Sequence, residues 1–386
     1  MRWSASTSRL GPTGSGPFLD ADGRRVGTVR VRPPRGATAW SLASVGPSVE
    51  VAAFVTGLPT GRLTAVLATD PSTAGTYRLR FHLFGGSTVE HVIRLGSPDR
   101  AGPPQAQPST TVSSVSSTVA SGSGELAVRA WGDDGPAVVA LHPGIGDSRI
   151  WDWCAPVWAA AGYRVVTHDR RGFGATRYVA EPHDPLADLV AVTAATGARP
   201  AVVVGNSRGG GLALDLALAH PDHVVGLVLI APSPSGYPDD EWPETDAEAE
   251  QDRRIAQAEA AGDLALVNRL EVRYWLDGVE QPEGRVGEPA RGLLAEMNRV
   301  ALEAAPIGDE AERPPVWPAL DRLTMPTLVI AGEHDLPGIG QLCADLSAAL
   351  PNGRLITIDD TAHCPSLDQP EALNRAVIDF LDAHRS

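Results

Sequence analysis

Gly205-Asn206-Ser207-Arg208-Gly209 sets a serine between two glycines, directly after the apolar run 201–205 (AVVVG) and before a helix-forming stretch at 209–220. A strand that turns at once into a helix holds its central residue in a strained conformation. The flanking glycines let two backbones pass close together, and the hydroxyl stands exposed at a helix N-terminus. A serine so placed is a nucleophile for acyl transfer; the plainer alternative is a glycine-rich turn with a capping serine. Attack on a carbonyl builds negative charge on oxygen, and two backbone N–H groups must already point at it. One is that of Arg208, the residue after the nucleophile. The other is expected from Leu141-His142-Pro143-Gly144-Ile145-Gly146-Asp147, at Gly144 with Ile145 as second choice.

The serine needs a base, and the base an acid to orient it. Of the ten histidines, His363 (DDTAHCPSLDQP) follows the last apolar strand and precedes the C-terminal helix. Asp335, in Gly332-Glu333-His334-Asp335, follows the strand before that. Glu333 and Asp360 are the second choices for the acid, and His334 for the base. The stretch after the strand at 224–230 (APSPSG) offers no carboxylate.

Those positions require strands to bring them together. From about residue 125 apolar runs at 137–142, 163–169, 201–205, 224–230, 327–331 and 354–358 alternate with helical stretches at 150–161, 185–196, 209–220, 338–350 and 370–384. Continuous apolar strands alternating with helices predict an α/β fold, a mostly parallel, doubly wound sheet covered on both faces. The alternation breaks once, at 237–318, an insert that opens acidic (DDEWPETDAEAEQD) and continues helical; its place between two core strands predicts a cap over the strand C-termini. The acidic run at 239–252 reads as a solvated edge of that cap. The core is thus expected at 113–236 and 319–386. Before it, 97–112 lies in a stretch poor in bulky apolar residues that reads as a flexible linker, ending in a first edge strand. Residues 1–96 show period-two runs at 26–32, 49–55, 63–69, 76–84 and 88–95 separated by turns, which predict a small all-β module. Its arginine-rich faces read most simply as solvated strand faces.

The pieces HPGIGDSRIWDW, HDRRGFGAT, GNSRGG, AGEHD and AHCPSLDQPE resemble the α/β-hydrolase superfamily with a helical cap, over residues 113–386. Its esterases, enol-lactonases and hydrolases that cleave the C–C bond of ring-fission dienoates are the branches they look like. The resemblance implies a Ser207–Asp335–His363 triad acting on a small-molecule ester or lactone, with no cofactor and no metal. It also gives Asp169 and Arg171 a scaffolding role. Two positions depart from the family's pattern. His142-Pro143-Gly144 stands where relatives read His-Gly, and Arg208 replaces a residue that is usually uncharged. Arg208 could hold a substrate carboxylate or pair with a nearby acid. Ile145, Trp151 and Trp153 are candidates to line the acyl pocket, with core packing the alternative for the tryptophans.

Composition narrows the rest. The 386 residues carry a formal charge of −15, and no lysine occurs among them, so lysine Schiff-base and P-loop chemistry are excluded. The acidic net charge argues against nucleic acid or an anionic membrane as the main partner, although it is unevenly spread: the first 112 residues hold 12 arginines against 6 acids and the remainder 20 against 41. Three scattered cysteines (Cys154, Cys343, Cys364) suggest neither a disulfide framework nor a zinc site. With no secretory signal and no apolar run long enough to span a bilayer, a cytoplasmic protein is expected. The alternatives to an esterase are a C–C hydrolase, a perhydrolase or haloperoxidase using the same triad, and a non-catalytic ligand-binding protein.

Overall fold

In the computed structural model residues 114–238 and 243–385 are described in full, and the backbone of five strands is described before them. Contacts divide the chain into two units, Met1–Ser109 and Thr110–Ser386. In the first, β1 (Ser15–Leu19) pairs antiparallel with β2 (Arg25–Arg30), while β3 (Ala37–Val45), β4 (Gly75–Leu83) and β5 (Thr88–Leu95) form an antiparallel sheet. Alternation in the sequence predicts β2, β4 and β5. The residues of β1 and β3 mix small, polar and apolar types and gave no such signal. The strands expected at 49–55 and 63–69 lie outside the described residues.

The second unit is built on β6 (Val115–Ser121), β7 (Gly124–Trp131), β8 (Ala137–Leu141), β9 (Arg164–His168), β10 (Ala201–Asn206), β11 (Val224–Ile230), β12 (Thr327–Gly332) and β13 (Gly353–Ile358). They form one sheet in the order β13-β12-β11-β10-β8-β9-β7-β6, parallel except where β7 runs antiparallel to β9 and β6 antiparallel to β7. The central strands have no polar alternation because both faces are covered. Along β8, Val138 and Ala140 enter one core with helices α1 (Ala155–Ala160) and α9 (Pro370–Ala383). Val139 and Leu141 enter the other, with α2 (Pro185–Thr196), α3 (Arg208–Ala219) and α7 (Pro337–Ala349). That split is the period of two expected of a pleated strand between two layers.

The chain leaves β8 toward β9 on one side and returns to the other side of β8 as β10. Such a reversal opens a crevice at the strand C-termini, where α/β sheets place their ligands. The register aligns Gly205 with Leu141, so the loop after β8 and the turn after β10 emerge side by side.

Between β11 and β12 the insert forms α4 (Asp246–Ala260), α5 (Leu264–Val272), a single wide turn at Arg273–Asp277, and α6 (Ala290–Leu302). Ala258, Val267 and Leu270 make a small core of its own. The acidic opening is not wholly solvated as expected: Glu248 and Gln251 are buried, and the Gln251 amide donates to the Leu270 carbonyl at 2.9 Å.

The β6–β7 hairpin is tied to the rest by Arg171. Its guanidinium donates to both oxygens of Asp188 on α2 (2.9 and 3.2 Å) and to the Ser121 carbonyl (2.7 Å). Both side chains are at most 7% exposed, so removing one leaves an uncompensated buried charge. Asp188→Ala is expected to lower stability by about 3–5 kcal/mol in urea unfolding, while the double change Arg171→Met/Asp188→Leu recovers most of the loss.

Candidate active site

Ser207 joins β10 to α3 with φ 53° and ψ −119°, a backbone region that residues with a Cβ rarely adopt and that costs on the order of 1–3 kcal/mol. Local sequence makes the turn possible. A Cβ on Gly205 would collide with the Gly209 carbonyl, and one on Gly209 would collide with the Leu141 carbonyl. The strand, the helix and the loop after β8 therefore cross backbone to backbone. The Ser207 N–H donates to the Ile230 carbonyl (2.9 Å), and its carbonyl accepts from the N–H groups of Ser233 and Gly211 (both 3.1 Å). The side chain is left half-buried at the start of the twelve-residue helix α3, whose N–H dipoles favour negative charge there.

His363 and Asp335 meet at the ends of the two neighbouring strands. His363 Nδ1 lies 2.8 Å from Asp335 Oδ2, with both side chains at most 4% exposed. The other Asp335 oxygen accepts from the Leu336 N–H at 2.9 Å, which fixes the carboxylate. A carboxylate only accepts, so Nδ1 carries the proton and Nε2 is left as a base. The His363 carbonyl accepts from the side-chain amide of Asn206, the residue before the serine (3.2 Å), which also donates to the Ile230 carbonyl (3.1 Å). One buried amide thus ties the serine turn to the histidine loop. The second choices take other parts: the Glu333 carboxylate accepts from the Asp360 N–H (2.7 Å), and Asp360 pairs with His334 at 3.6 Å, away from His363.

The loop after β8 is held from behind. His142 Nε2 accepts from the Arg170 N–H (3.1 Å) and its Nδ1 faces the Pro143 carbonyl (2.8 Å), so the ring is neutral with its proton on Nδ1. The Arg170 guanidinium donates to the Pro143 carbonyl (2.7 Å) and the His142 carbonyl (3.2 Å). Asp169 accepts from the N–H groups of Ser148 and Ala175 (both 2.8 Å), joining this loop to the turn after β9 and giving Asp169 a scaffolding place. Gly144 lies under the Arg208 side chain, whose Cδ would stand 3.2 Å from a Cβ there. Ile145 is buried in the core that also holds Leu294 and Met297 of α6, and Trp151 has no exposed surface, its ring packed against Trp158 at 5.8 Å. Trp151 is therefore a core residue in this structure, where the sequence had offered it as a pocket wall. Arg208 pairs with Glu310 of the cap's return segment at 3.1 Å.

The cap reaches the histidine loop directly. The His363 N–H donates to the Trp275 carbonyl (3.2 Å), and the two rings lie 4.5 Å apart. Arg285 donates to the carbonyls of Leu276 (2.8 Å), Asp277 (2.7 Å) and Asp360 (2.8 Å) and pairs with Asp368, which accepts from the Ala362 N–H (3.2 Å). Asn206, Arg170, Trp275, Arg285 and Glu310 were not singled out from the sequence. Asn206 and Arg170 lay inside quoted motifs, whereas nothing marked the three cap residues. Among the described residues no three or more His, Cys, Asp or Glu side chains gather as a metal site, and no helix is long and apolar enough to cross a membrane.

Burial sets the charge state of the histidines behind the loop. It pushes His142 well below its ordinary value, helped by Arg170. It pushes His168, at the end of β9, from the ordinary 6.5 to about 4, and neither ring nitrogen has a partner among the described residues. The unfolded chain therefore takes up a proton between pH 6.5 and 4 that the native state refuses, and stability falls as pH drops through that window. His168→Asn is expected to lose less stability than wild type when urea midpoints at pH 7 and pH 4.5 are compared.

Residues 138–376 match the model of the alpha/beta hydrolase family. The pimeloyl-[acyl-carrier protein] methyl ester esterase of Aeromonas hydrophila is 26% identical over 261 residues, covering 64% of this chain and 96% of that protein. A bifunctional esterase/perhydrolase of Acinetobacter calcoaceticus is 27% identical over 276 residues, covering 65% and 94%. Among solved structures, a bromoperoxidase of Bacillus anthracis superposes with a TM-score of 0.56 at 23% identity, over 70% of this chain and all of that one. The chain belongs to the alpha/beta hydrolase family.

Proposed function

We propose that the chain is a serine hydrolase that cleaves a small-molecule carboxylic ester or lactone through an acyl-enzyme, using Ser207, Asp335 and His363. The observation that carries this reading is the 2.8 Å contact of His363 with Asp335, its loop tied through Asn206 to a serine at a strained strand–helix turn. His363 Nε2 takes the proton of Ser207 as Oγ attacks the carbonyl. The N–H groups of Arg208 and Gly144 receive the developing oxyanion. Asp335 holds the imidazole tautomer and stabilises the imidazolium. The proton then passes from His363 to the departing alcohol. Water, deprotonated by the same Nε2, attacks the acyl-enzyme and releases the acid. Each proton in this cycle is moved by a side chain, so the reaction calls for no cofactor. A serine rather than an aspartate at 207 leaves an acyl, not an alkyl, intermediate.

Esterases among the relatives support this reading, and the esterase/perhydrolase and bromoperoxidase among them favour a second one. In that reading peroxide replaces water at the acyl-enzyme and a peracid leaves. Bromination of monochlorodimedone in the presence of acetate, hydrogen peroxide and bromide, which the peracid oxidises to hypobromite, separates it from simple hydrolysis.

The test compares p-nitrophenyl acetate, butyrate and octanoate with wild type, Ser207→Ala and Asp335→Asn. Wild type is expected to turn over at least one ester. Ser207→Ala should lose roughly a thousandfold or more, and Asp335→Asn, whose imidazole would take the wrong tautomer, roughly ten-thousandfold in kcat. Ser207 should also be labelled by a fluorophosphonate. No turnover and no labelling would instead make the chain a ligand-binding protein on a hydrolase scaffold.

A further inference from the structure

A small cleft lies between the turn after β9, the start of α3 and the cap's return segment, lined by Arg170, Arg171, Phe173, Asp188, Arg208 and Glu310 among others. Its cations are not paired alike. Arg171 is paired twice, with Asp188 in the buried pair described above and with Glu181 at 3.5 Å. Arg208 and Glu310 form a second pair. Arg170 is the third cation, and no carboxylate among the described residues pairs with it. Its Nε and Nη2 are taken by neutral acceptors, the His142 ring and two carbonyls, and its Nη1 has no acceptor among the described residues. Phe173 packs under the guanidinium at 4.9 Å from its ring centre, which leaves the cation oriented but not neutralised.

The two pairs differ in how firmly they hold. Arg171 and Asp188 are at most 7% exposed, whereas Arg208 and Glu310 are 53% and 38% exposed, and ion pairs of that kind contribute little. The backbone under Glu310 is fixed all the same. The His183 N–H donates to the Asp309 carbonyl (2.9 Å), the Ala311 N–H donates to the His183 carbonyl (2.8 Å), and Gly308, at φ 90°, lies too close to the Glu181 backbone for any side chain. Glu310 is thus an anion presented by a held segment on a partly exposed side chain, in front of two guanidinium groups. One of them, Arg208, follows the nucleophile directly and lies over Gly144.

We propose that this cleft receives a carboxylate carried by the acyl part of the substrate, which takes the place of Glu310 on Arg208 and occupies the open Nη1 of Arg170. The substrate class is then a half-ester of a short dicarboxylic acid. Glu310 holds Arg208 in place when the cleft is empty and turns to solvent when it is filled. The proposal rests on the serine hydrolase reading, which it narrows from esters in general to esters with an anionic acyl group.

Monoethyl glutarate and ethyl pentanoate share chain length and leaving group and differ in the carboxylate; proton release follows both. The readout is the ratio of kcat/KM for the anionic ester to that for the neutral one. Wild type is expected to favour the anionic ester. Arg208→Met should lower the ratio at least tenfold, and Glu310→Gln, which removes the competing anion, should raise it about threefold or more. Opposite signs from the two variants would not arise from general damage to the site. A ratio within twofold of wild type in Arg208→Met, or a lowered ratio in Glu310→Gln, overturns the proposal. Where Arg208→Met does not fold, Glu310→Gln decides.

A second measurement is independent of turnover. Glutarate should raise the Tm of wild type above that in sodium chloride of equal ionic strength, should raise it further in Glu310→Gln, and should do so more than dimethyl glutarate. Absence of that shift overturns the cleft. A shift with neither turnover of either ester nor fluorophosphonate labelling of Ser207 leaves the cleft standing and removes the hydrolase reading; turnover of ethyl pentanoate with an unchanged ratio and no shift does the reverse.

Discussion

The turn at Ser207 is the constraint on which the rest of the second unit depends. A residue with a Cβ at φ 53° and ψ −119° is not held there by its own preference. It is held because β10 is clamped in register between β8 and β11 while α3 departs at once in a new direction. Close crossing of the backbones demands glycine on both sides of the serine. It also explains Gly210, where a Cβ would stand 2.7 Å from the Pro232 side chain, and Gly211, where one would strike the Ser233 carbonyl. The strain is thus balanced by the cooperative pairing of a parallel sheet buried on both faces. The same sheet brings the loop after β8 alongside and sets the ends of β12 and β13 next in line. Position along one sheet edge does most of the work of assembling residues that are far apart in sequence.

The cap belongs to the site as well as to its roof. Trp275 and Arg285 both contact the loop that carries His363, one through a ring face and a carbonyl, the other through Asp360 and Asp368. At the opposite edge Arg149 donates to Asp147 of the loop after β8 and to Glu296 on α6 (2.6 Å). The insert therefore grips both flanks of the crevice. Movement of the cap would carry the histidine and the loop after β8 with it, so access to the crevice and its geometry are coupled.

Strands β8 to β13 and the helices between them were legible because they are apolar and separated by glycine and proline, whereas β7, which alternates, was not singled out. The candidate site positions Ser207, Asp335 and His363 were marked for a related reason: each follows an apolar strand, and strand ends can be counted. The cap residues that touch the histidine were not. Trp275 and Arg285 lie in a segment whose path is set by tertiary packing, and neither carries a local signature. Trp151 shows the converse. Its place beside a glycine loop suggested a pocket wall, but the short helical turn at Ser148–Trp151 directs the ring inward against Trp158. Glu248 and Gln251 mislead in the same way, since an acidic helix shows its charge in sequence and hides which of its faces is covered.

A chain with no lysine must make every cationic contact with a guanidinium, and the structure uses the planar fork in full. Arg285 reaches three carbonyls and a carboxylate, and Arg171 reaches both oxygens of Asp188 and a carbonyl from another strand. An ammonium could supply the charge at these places but not three directed donors in one plane. Arginines consumed in this way no longer offset the acids outside, which is consistent with a strongly acidic second unit whose interior is stitched by cations. In that setting Arg170 spends its donors on neutral acceptors, and burial, with Arg208 nearby, pulls its guanidinium down to about 9. That unpaired guanidinium, which lines the same cleft as Arg208, is a property of one small region. It would be felt by an anion only after that anion had entered the crevice.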